Sequence, residues 1–327
     1  MTRSLAVVAS LLFVCAACSS TNPTGGGGDG GSNMGTDGGT GGSADASPTG
    51  ATRLIQSDWT IEPGTERYNC QRLTVDHDIY VTKIKPIEPV GTHHTLLSYV
   101  TNPTKPDGFE ADCGTFAPDW IMVFASGVGS PDLEMPAGVA LEIPAGTQIV
   151  LNLHLFNTTD GTLQGTSGYD VWEVDPSQVD SVANVALAGP VPSFAVDGDP
   201  SVTKIPADSQ DHTVSGRCTM DQARDFFAVF PHMHQIGTHI KIWVHTAANG
   251  DQTVYDADYD FNNQKFASFP SIHLAQGDTI NVTCTYNNTT GSPVGFGESS
   301  TDEMCFAISD LTPPYQGNNF LGNICPN

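Results

Sequence analysis

Short segments rich in Val, Ile, Leu, Thr and Phe recur along residues 53–327. Gly, Pro, Asn and Asp separate them: DIYVTKIKPI, HTLLSYV, TQIVLNLHLFN, YDVWEV, FAVFPHMH, HIKIWVH, TINVTCTY and MCFAISDL. None sustains a helical period over about a dozen residues, so the pattern predicts strands. Regular short strands with turn signals between them predict an all-β body of antiparallel sandwiches or barrels. Parts of the chain are ambiguous, notably CTMDQARDFFAVF, which could open with a helical turn. In VLNLHLF both faces look apolar, which places His154 in a buried or half-buried space. The body exceeds a usual single domain. The stretch VDPSQVDSVANVALAGPVP breaks the strand rhythm, so two tandem sandwiches are expected, over 53–182 and 183–327.

The N-terminal end has a different composition. Residues 1–17, MTRSLAVVASLLFVCAA, carry Arg3, an apolar run and then small residues, the form of an export signal. Cys18, after Ala16 and Ala17, sits as the lipidated cysteine does in a bacterial lipobox. Residues 18–52 then hold that cysteine and a Gly- and Ser-rich stretch too polar to bury a core. Such a coil reaches roughly 35 Å end to end, a tether between a membrane and a folded body. The expected location is the bacterial cell envelope, on the outer membrane or periplasmic face, with the lipid as the only membrane attachment. Acids outnumber bases 36 to 12, for a net charge of −24. That balance argues against nucleic acid as a partner, and a monomer is expected. Beyond Cys15 and Cys18 six cysteines remain: Cys70, Cys113, Cys218, Cys284, Cys305 and Cys325. An even number in an exported chain indicates three disulfides. If each half is a domain, Cys70 pairs with Cys113, and three pairings stay open in the second half.

The candidate chemistry lies in histidines. THHTLLS places His93 beside His94, and NLHLFN supplies His154. Each buried imidazole without a partner costs about 1–3 kcal/mol, and a bound metal would satisfy one nitrogen of each. Successive strand residues face opposite sides. His93 and His94 therefore share one ion only if the strand twists, bulges or ends there. In FPHMHQIG, His232 and His234 lie two apart and share a strand face, while Met233 faces the other way. Met304, in SSTDEMCF, reads alone as a core methionine. As a ligand its soft thioether would favour Cu(I).

Taken together and in this order, THHTLLSY, NLHLFN, PHMHQIG and SSTDEMCF resemble the copper type II, ascorbate-dependent monooxygenases. This is the family of the peptidylglycine α-hydroxylating and dopamine β-monooxygenases. The resemblance spans roughly residues 60–327. It implies two jelly-roll-like β-sandwiches facing a solvent-filled cleft, with two copper ions per chain. His93, His94 and His154 match the copper that stores and relays an electron. His232, His234 and Met304 match the copper that binds O2 and carries out the chemistry. The implied reaction hydroxylates a substrate C–H bond with O2, using ascorbate or another one-electron reductant as co-substrate. The implied disulfides are Cys70–Cys113, Cys218–Cys325 and Cys284–Cys305.

Three departures bear on the substrate. Where the peptide-hydroxylating branch has an arginine two residues before the H-x-H pair, this chain has Phe230. The branch's asparagine two after the methionine is Phe306, and its tyrosine four after is Ile308. These residues would line the substrate site, and a small apolar or aromatic substrate is expected over a glycine-extended peptide. Asp302 and Glu303 are expected to shape the turn before Met304 and accept hydrogen bonds. The histidines at 77, 212, 239, 245 and 273 are expected on the surface or in structural roles. The alternative function is a copper-binding or copper-buffering envelope lipoprotein with no catalysis. A zinc hydrolase would leave Met304 without a use and lacks an H-E-x-x-H motif. An adhesive sandwich would leave all six ligand-type residues unexplained.

Overall fold

The computed structural model describes residues 47–115, 117–190, 205–315 and 323–325. The export segment, Cys18 and most of the Gly-rich stretch lie outside the described residues. The body is built of strands. In the first half these are β1 (Thr52–Ile61), β2 (Glu66–Thr74), β3 (Ile79–Ile87), β4 (Thr92–Val100), β5 (Gly108–Ala111), β6 (Ile121–Gly127), β7 (Leu133–Glu134), β8 (Val139–Ile143), β9 (Gln148–Phe156) and β10 (Leu163–Glu173). The second half adds β11 (Ser181–Ala188), β12 (His212–Thr219), β13 (Arg224–Met233), β14 (Gly237–Thr246), β15 (Gly250–Asp258), β16 (Ala267–Leu274), β17 (Thr279–Tyr286) and β18 (Cys305–Thr312). Among the described residues no helix is long and apolar enough to cross a membrane.

Three sheets result. One five-stranded sheet runs β5-β2-β9-β4-β6, and one four-stranded sheet runs β12-β17-β14-β15. A third, long sheet runs β1-β10-β3-β8-β11-β18-β13-β16 and passes through both halves of the chain. Its join is β11, which pairs parallel with β8 over Ser181–Ala183 and antiparallel with β18 over Asn184–Ala188. The stretch that breaks the strand rhythm thus contains a short 3₁₀ turn, Pro176–Gln178, followed by this shared strand. No helical turn precedes β13. Residues 220–223 form a short link and Arg224 already pairs with Leu274. At the N-terminal end, Ser47 donates to Asp170 (2.7 Å) and β1 begins at Thr52, so the last residues of the expected tether lie against the body.

Burial explains which strands were easy to read. In β17 every second residue is buried, with Ile280, Val282, Cys284 and Tyr286 inward. In β4, β6, β9, β13 and β18 nearly every residue is buried, because other layers cover both faces. Along β9, Ile149, Leu151, Leu153 and Leu155 enter one large core, whereas Val150 packs with Cys70, Val100 and Trp120 on the opposite face. Asn152 and His154 fall on that second face by the two-residue period. The large core continues across the halves. Phe230, Phe306 and Ile308 belong to it together with Leu96 and Met122. Each such side chain contributes about 1.5–3 kcal/mol on burial.

The three disulfides are Cys70–Cys113, Cys218–Cys325 and Cys284–Cys305. The last ties β17 to the first residue of β18, directly after Met304. The two halves also share a turn. After β9, Asn157 accepts from Thr159 N and Oγ1 and donates to the Gly161 carbonyl. After β17, Asn288 makes the same set with Thr290 and Ser292. Both asparagine side chains are buried in these turns.

Candidate metal centre

A β-bulge solves the problem posed by adjacent histidines. Between β4 and β9, Thr92 pairs with Leu155 and His94 with His154, so His93 is the extra residue. A bulge turns the extra side chain toward the side of its neighbour. His93, His94 and His154 consequently meet, with one nitrogen from each lying within 4.8 Å of the others. Nδ1 of His94 is 3.1 Å from Nδ1 of His93 and 3.3 Å from Nδ1 of His154.

The outer partners fix the tautomers. Nε2 of His93 lies 2.6 Å from the Phe261 carbonyl oxygen, which only accepts, so Nε2 carries the proton. Nε2 of His154 donates to Glu66 Oε1 at 2.7 Å. Burial works against the charge of Glu66, but the bonds from His154 and Ser300 win and hold its carboxyl down at about 2. Both Nδ1 atoms therefore present lone pairs. A single proton on His94 Nδ1 could satisfy only one of them. Three converging nitrogens with at most one proton among them form a donor set that fits a cation, with outer hydrogen bonds of the kind that orient metal-bound imidazoles. Tyr68 stacks on His154, 4.3 Å between centroids, and closes one side.

The second set forms where β13 ends. His232 is the ninth residue of β13 and pairs with Phe306 of β18; His234 follows the strand, and Met304 immediately precedes β18. The His232 and His234 rings meet edge to face at 5.1 Å. Here the Nδ1 atoms are engaged. His232 Nδ1 donates to Gln264 Oε1 (2.8 Å) and His234 Nδ1 to the Asp302 carbonyl (3.2 Å), leaving both Nε2 lone pairs free for an ion. Met233 points the other way, into the second core. The buried Glu303 carboxyl group accepts the backbone N–H groups of His234 (2.9 Å), Ile236 (2.9 Å) and Met304 (3.2 Å). It thereby clamps the H-x-H turn to the methionine. Tyr286 adds a bond from its hydroxyl to the Met304 carbonyl at 2.7 Å.

All five histidines are held neutral, the state in which an imidazole can bind a metal. Burial, then the neighbouring imidazoles, pushes His93 down to about 3 and His94 well below its ordinary value. Burial also lowers His154, against the pull of Glu66. Burial followed by His234 takes His232 to about 3, and burial takes His234 to about 4. Among the remaining histidines, 77, 239, 245 and 273 pair with carboxylates at the surface.

The two sets do not face each other across a solvent-filled cleft, which corrects the expectation above. The His94 and His232 rings are in contact, with centroids 5.3 Å apart. The physical reason is the apolar seam beside them. Leu96 and Met122 from the first half share one buried apolar cluster with Leu187, Phe230, Phe306 and Ile308 from the second. What remains is a cavity of about 30 Å³, lined by these residues with His94, Thr115, His232 and Met304. Phe230, Phe306 and Ile308 are thus gathered at one place, next to His232 and Met304.

Glu66, Phe261, Gln264 and the clamp by Glu303 complete the site. Of these, only Glu303 carried a signal in the sequence, through its place beside Met304.

The fold and site define a β-sandwich protein with two unlike sets of soft and imidazole donors. Residues 198–308 match the model of the copper type II ascorbate-dependent monooxygenase, C-terminal domain. The match takes in His232, His234 and Met304. No curated protein matches the chain. Similar solved structures include procruciferin, the 11S globulin of Brassica napus, at 9% identity over 81% of this chain and 77% of that one, TM-score 0.19. Coconut cocosin, at 9% identity, covers 79% and 76% with TM-score 0.19. Pumpkin pro-11S globulin, also at 9%, covers 79% and 77% with TM-score 0.17. Overlaps this loose carry no argument about fold or function.

Proposed function

We propose that this protein is an envelope-anchored copper monooxygenase that hydroxylates a C–H bond of a small apolar or aromatic substrate with O2 and a one-electron reductant such as ascorbate. The observation that carries the reading is the juxtaposition of two unlike donor sets, the second within the residues that match the family model. One has three Nδ1 donors, and the other has two Nε2 donors and a thioether. A simple metal store gains little from two chemically different sites.

Copper at these sets would supply reversible one-electron chemistry and O2 activation. His93, His94 and His154 would hold one ion, and His232, His234 and Met304 the other. The residues of the chain do the rest. Phe261 and Glu66 keep the His93 and His154 protons on Nε2. Gln264 and the Asp302 carbonyl keep those of His232 and His234 on Nδ1. Glu303 holds the methionine segment against the H-x-H turn. Phe230, Phe306 and Ile308 exclude water and offer an apolar surface with no cation to grip a peptide carboxylate. Export and lipidation at Cys18 would place the body in the envelope.

One observation favours the non-catalytic copper-binding reading: a cavity of about 30 Å³ admits no substrate while the seam is closed. Catalysis therefore requires the seam to open. Substrate-dependent, ascorbate-driven O2 uptake by the copper-loaded protein separates the two readings. Uptake with small aromatic compounds and none with glycine-extended peptides supports the proposal. No substrate-dependent uptake across both classes favours the binding protein, and efficient turnover of the peptide removes the assigned substrate class.

A further inference from the structure

A single loop serves both donor sets. The segment between β15 and β16 carries Phe261 and Gln264, both buried, and Gln264 is only 2% exposed. Its hydrogen bonds form a continuous chain from one set to the other. His93 Nε2 donates to the Phe261 carbonyl (2.6 Å). Gln264 Nε2 donates to the same carbonyl (3.2 Å). Gln264 Oε1 accepts from His232 Nδ1 (2.8 Å). The amide cannot be reversed without loss, because the carbonyl only accepts and would then face Oε1. The orientation of one glutamine thus sets the protonated nitrogen of His232 and supports the acceptor that sets that of His93.

Packing reinforces the link. The Phe261 ring lies 4.0 Å from the His93 ring and 6.5 Å from that of His234. On its far side the loop presses on the end of β6. A Cβ at Gly127 would fall 2.3 Å from the Gln264 carbonyl oxygen, closer than any side chain permits. Glycine at 127 lets a loop of the second half seat directly on a strand of the first.

We infer that Phe261–Gln264 is a shared positioning strap, with Gln264 acting as a positioning residue for both metal-donor sets, so that the two sets gain or lose metal competence together. This rests on the copper reading above and adds to it a coupling between the sites. The plain alternative is a buried glutamine that merely satisfies a loop carbonyl. In that case its loss would lower stability and leave the metal-binding steps alone.

The test is a Cu(II) titration of the protein followed by electron paramagnetic resonance, with the melting temperature of the metal-free form measured in parallel. Gln264→Met keeps the length of the side chain and removes both hydrogen bonds. Gln264→Glu retains the acceptor for His232 and loses the donor to Phe261. Gly127→Ala pushes on the strap through the Gln264 backbone and leaves the Gln264 side-chain amide in place. The strap predicts that Gln264→Met weakens both copper steps, each by about ten- to a hundredfold, and alters both Cu(II) spectra. Gln264→Glu should rescue the His232 spectrum only, and Gly127→Ala should again shift both steps. Two normal copper steps in Gln264→Met, or a change confined to one, overturn the strap and leave the copper reading standing. If Gln264→Met fails to fold, the same criteria apply to Gly127→Ala, and a Gln264→Glu variant that leaves the His93, His94 and His154 step normal likewise overturns the strap. A parent protein that binds no copper overturns both.

Discussion

The His94 ring, at the start of β4, meets the His232 ring, near the end of β13, edge to face at 5.3 Å with planes at 81°. These residues lie in different halves of the chain and belong to different donor sets. Their contact makes the two sets direct neighbours. Full loading with Cu(II) should therefore give an electron paramagnetic resonance signal broadened by spin–spin interaction. Two sharp, additive signals would mean that the rings separate when metal binds.

Glu66 should matter to one set far more than to the other. It accepts from His154 Nε2, and Ser300 anchors it through its backbone N–H (3.2 Å) and hydroxyl (2.9 Å). Glu66→Gln keeps the shape and weakens the charge-assisted bond that sets the His154 tautomer. Copper affinity at the three-histidine set is expected to fall about ten- to a hundredfold, measured by competition with a chelator, with a smaller effect on the set containing Met304.

The Cys284–Cys305 bridge restrains the strand end beside Met304. Replacing both cysteines by serine is expected to cost about 2–4 kcal/mol of stability, read from denaturant midpoints. It should also loosen the copper site of His232, His234 and Met304 before that of His93, His94 and His154. Equal loss at both would show that the bridge acts only through global stability.

The metal-free protein should be most stable near neutrality. His93, His232 and His234 lie at about 3 to 4 in the fold against 6.5 unfolded. Between those values the unfolded chain binds more protons, so the stability these groups contribute is full above 6.5 and lost as pH falls toward 3. Glu88 and Glu303 run the opposite way. Burial raises them to about 7 and about 8 from 4.5, and their contribution, full below 4.5, is lost as pH rises through those values. Thermal melts should therefore peak near pH 6.5. Glu88→Gln should flatten the fall on the alkaline side; an unchanged alkaline limb would show that Glu88 is not protonated in the fold.

Asp310 is a stability cost waiting to be removed. It sits on the same face of β18 as Phe306 and Ile308, and its buried Oδ1 has no partner among the described residues. Burial alone pushes its carboxyl well above the ordinary value. Asp310→Leu is expected to stabilise the metal-free protein by about 1–3 kcal/mol, seen as a higher denaturant midpoint. Destabilisation would indicate that a water or a bound ligand normally pairs with this carboxyl.

Much of this site is legible in the sequence because the ligand types come in short, directional patterns. His232 and His234 share a face by strand period alone, and Met233 is excluded by the same period. His93 and His94 carried an ambiguity that only pairing resolves, since the bulge exists because β9 supplies one residue where β4 supplies two. The outer partners were not legible. Glu66 lies 88 residues from His154, and Phe261 lies 168 from His93; nothing in their local sequence marks them. The join of the long sheet through β11 was hidden for a related reason. A strand that pairs with different neighbours along its two halves leaves no periodic trace. The closed seam is equally invisible, because apolar residues at 96, 122, 187, 230, 306 and 308 read as ordinary core until the two halves are seen to share it.

The central claim is that this chain holds two chemically distinct copper sites, and copper per chain measures it most directly. The protein should be loaded, dialysed and assayed beside Met304→Ala and His154→Ala. Two coppers in the parent, with each variant weakening a different one, is the predicted result. One copper or none in the parent, unchanged by Met304→Ala, would contradict it.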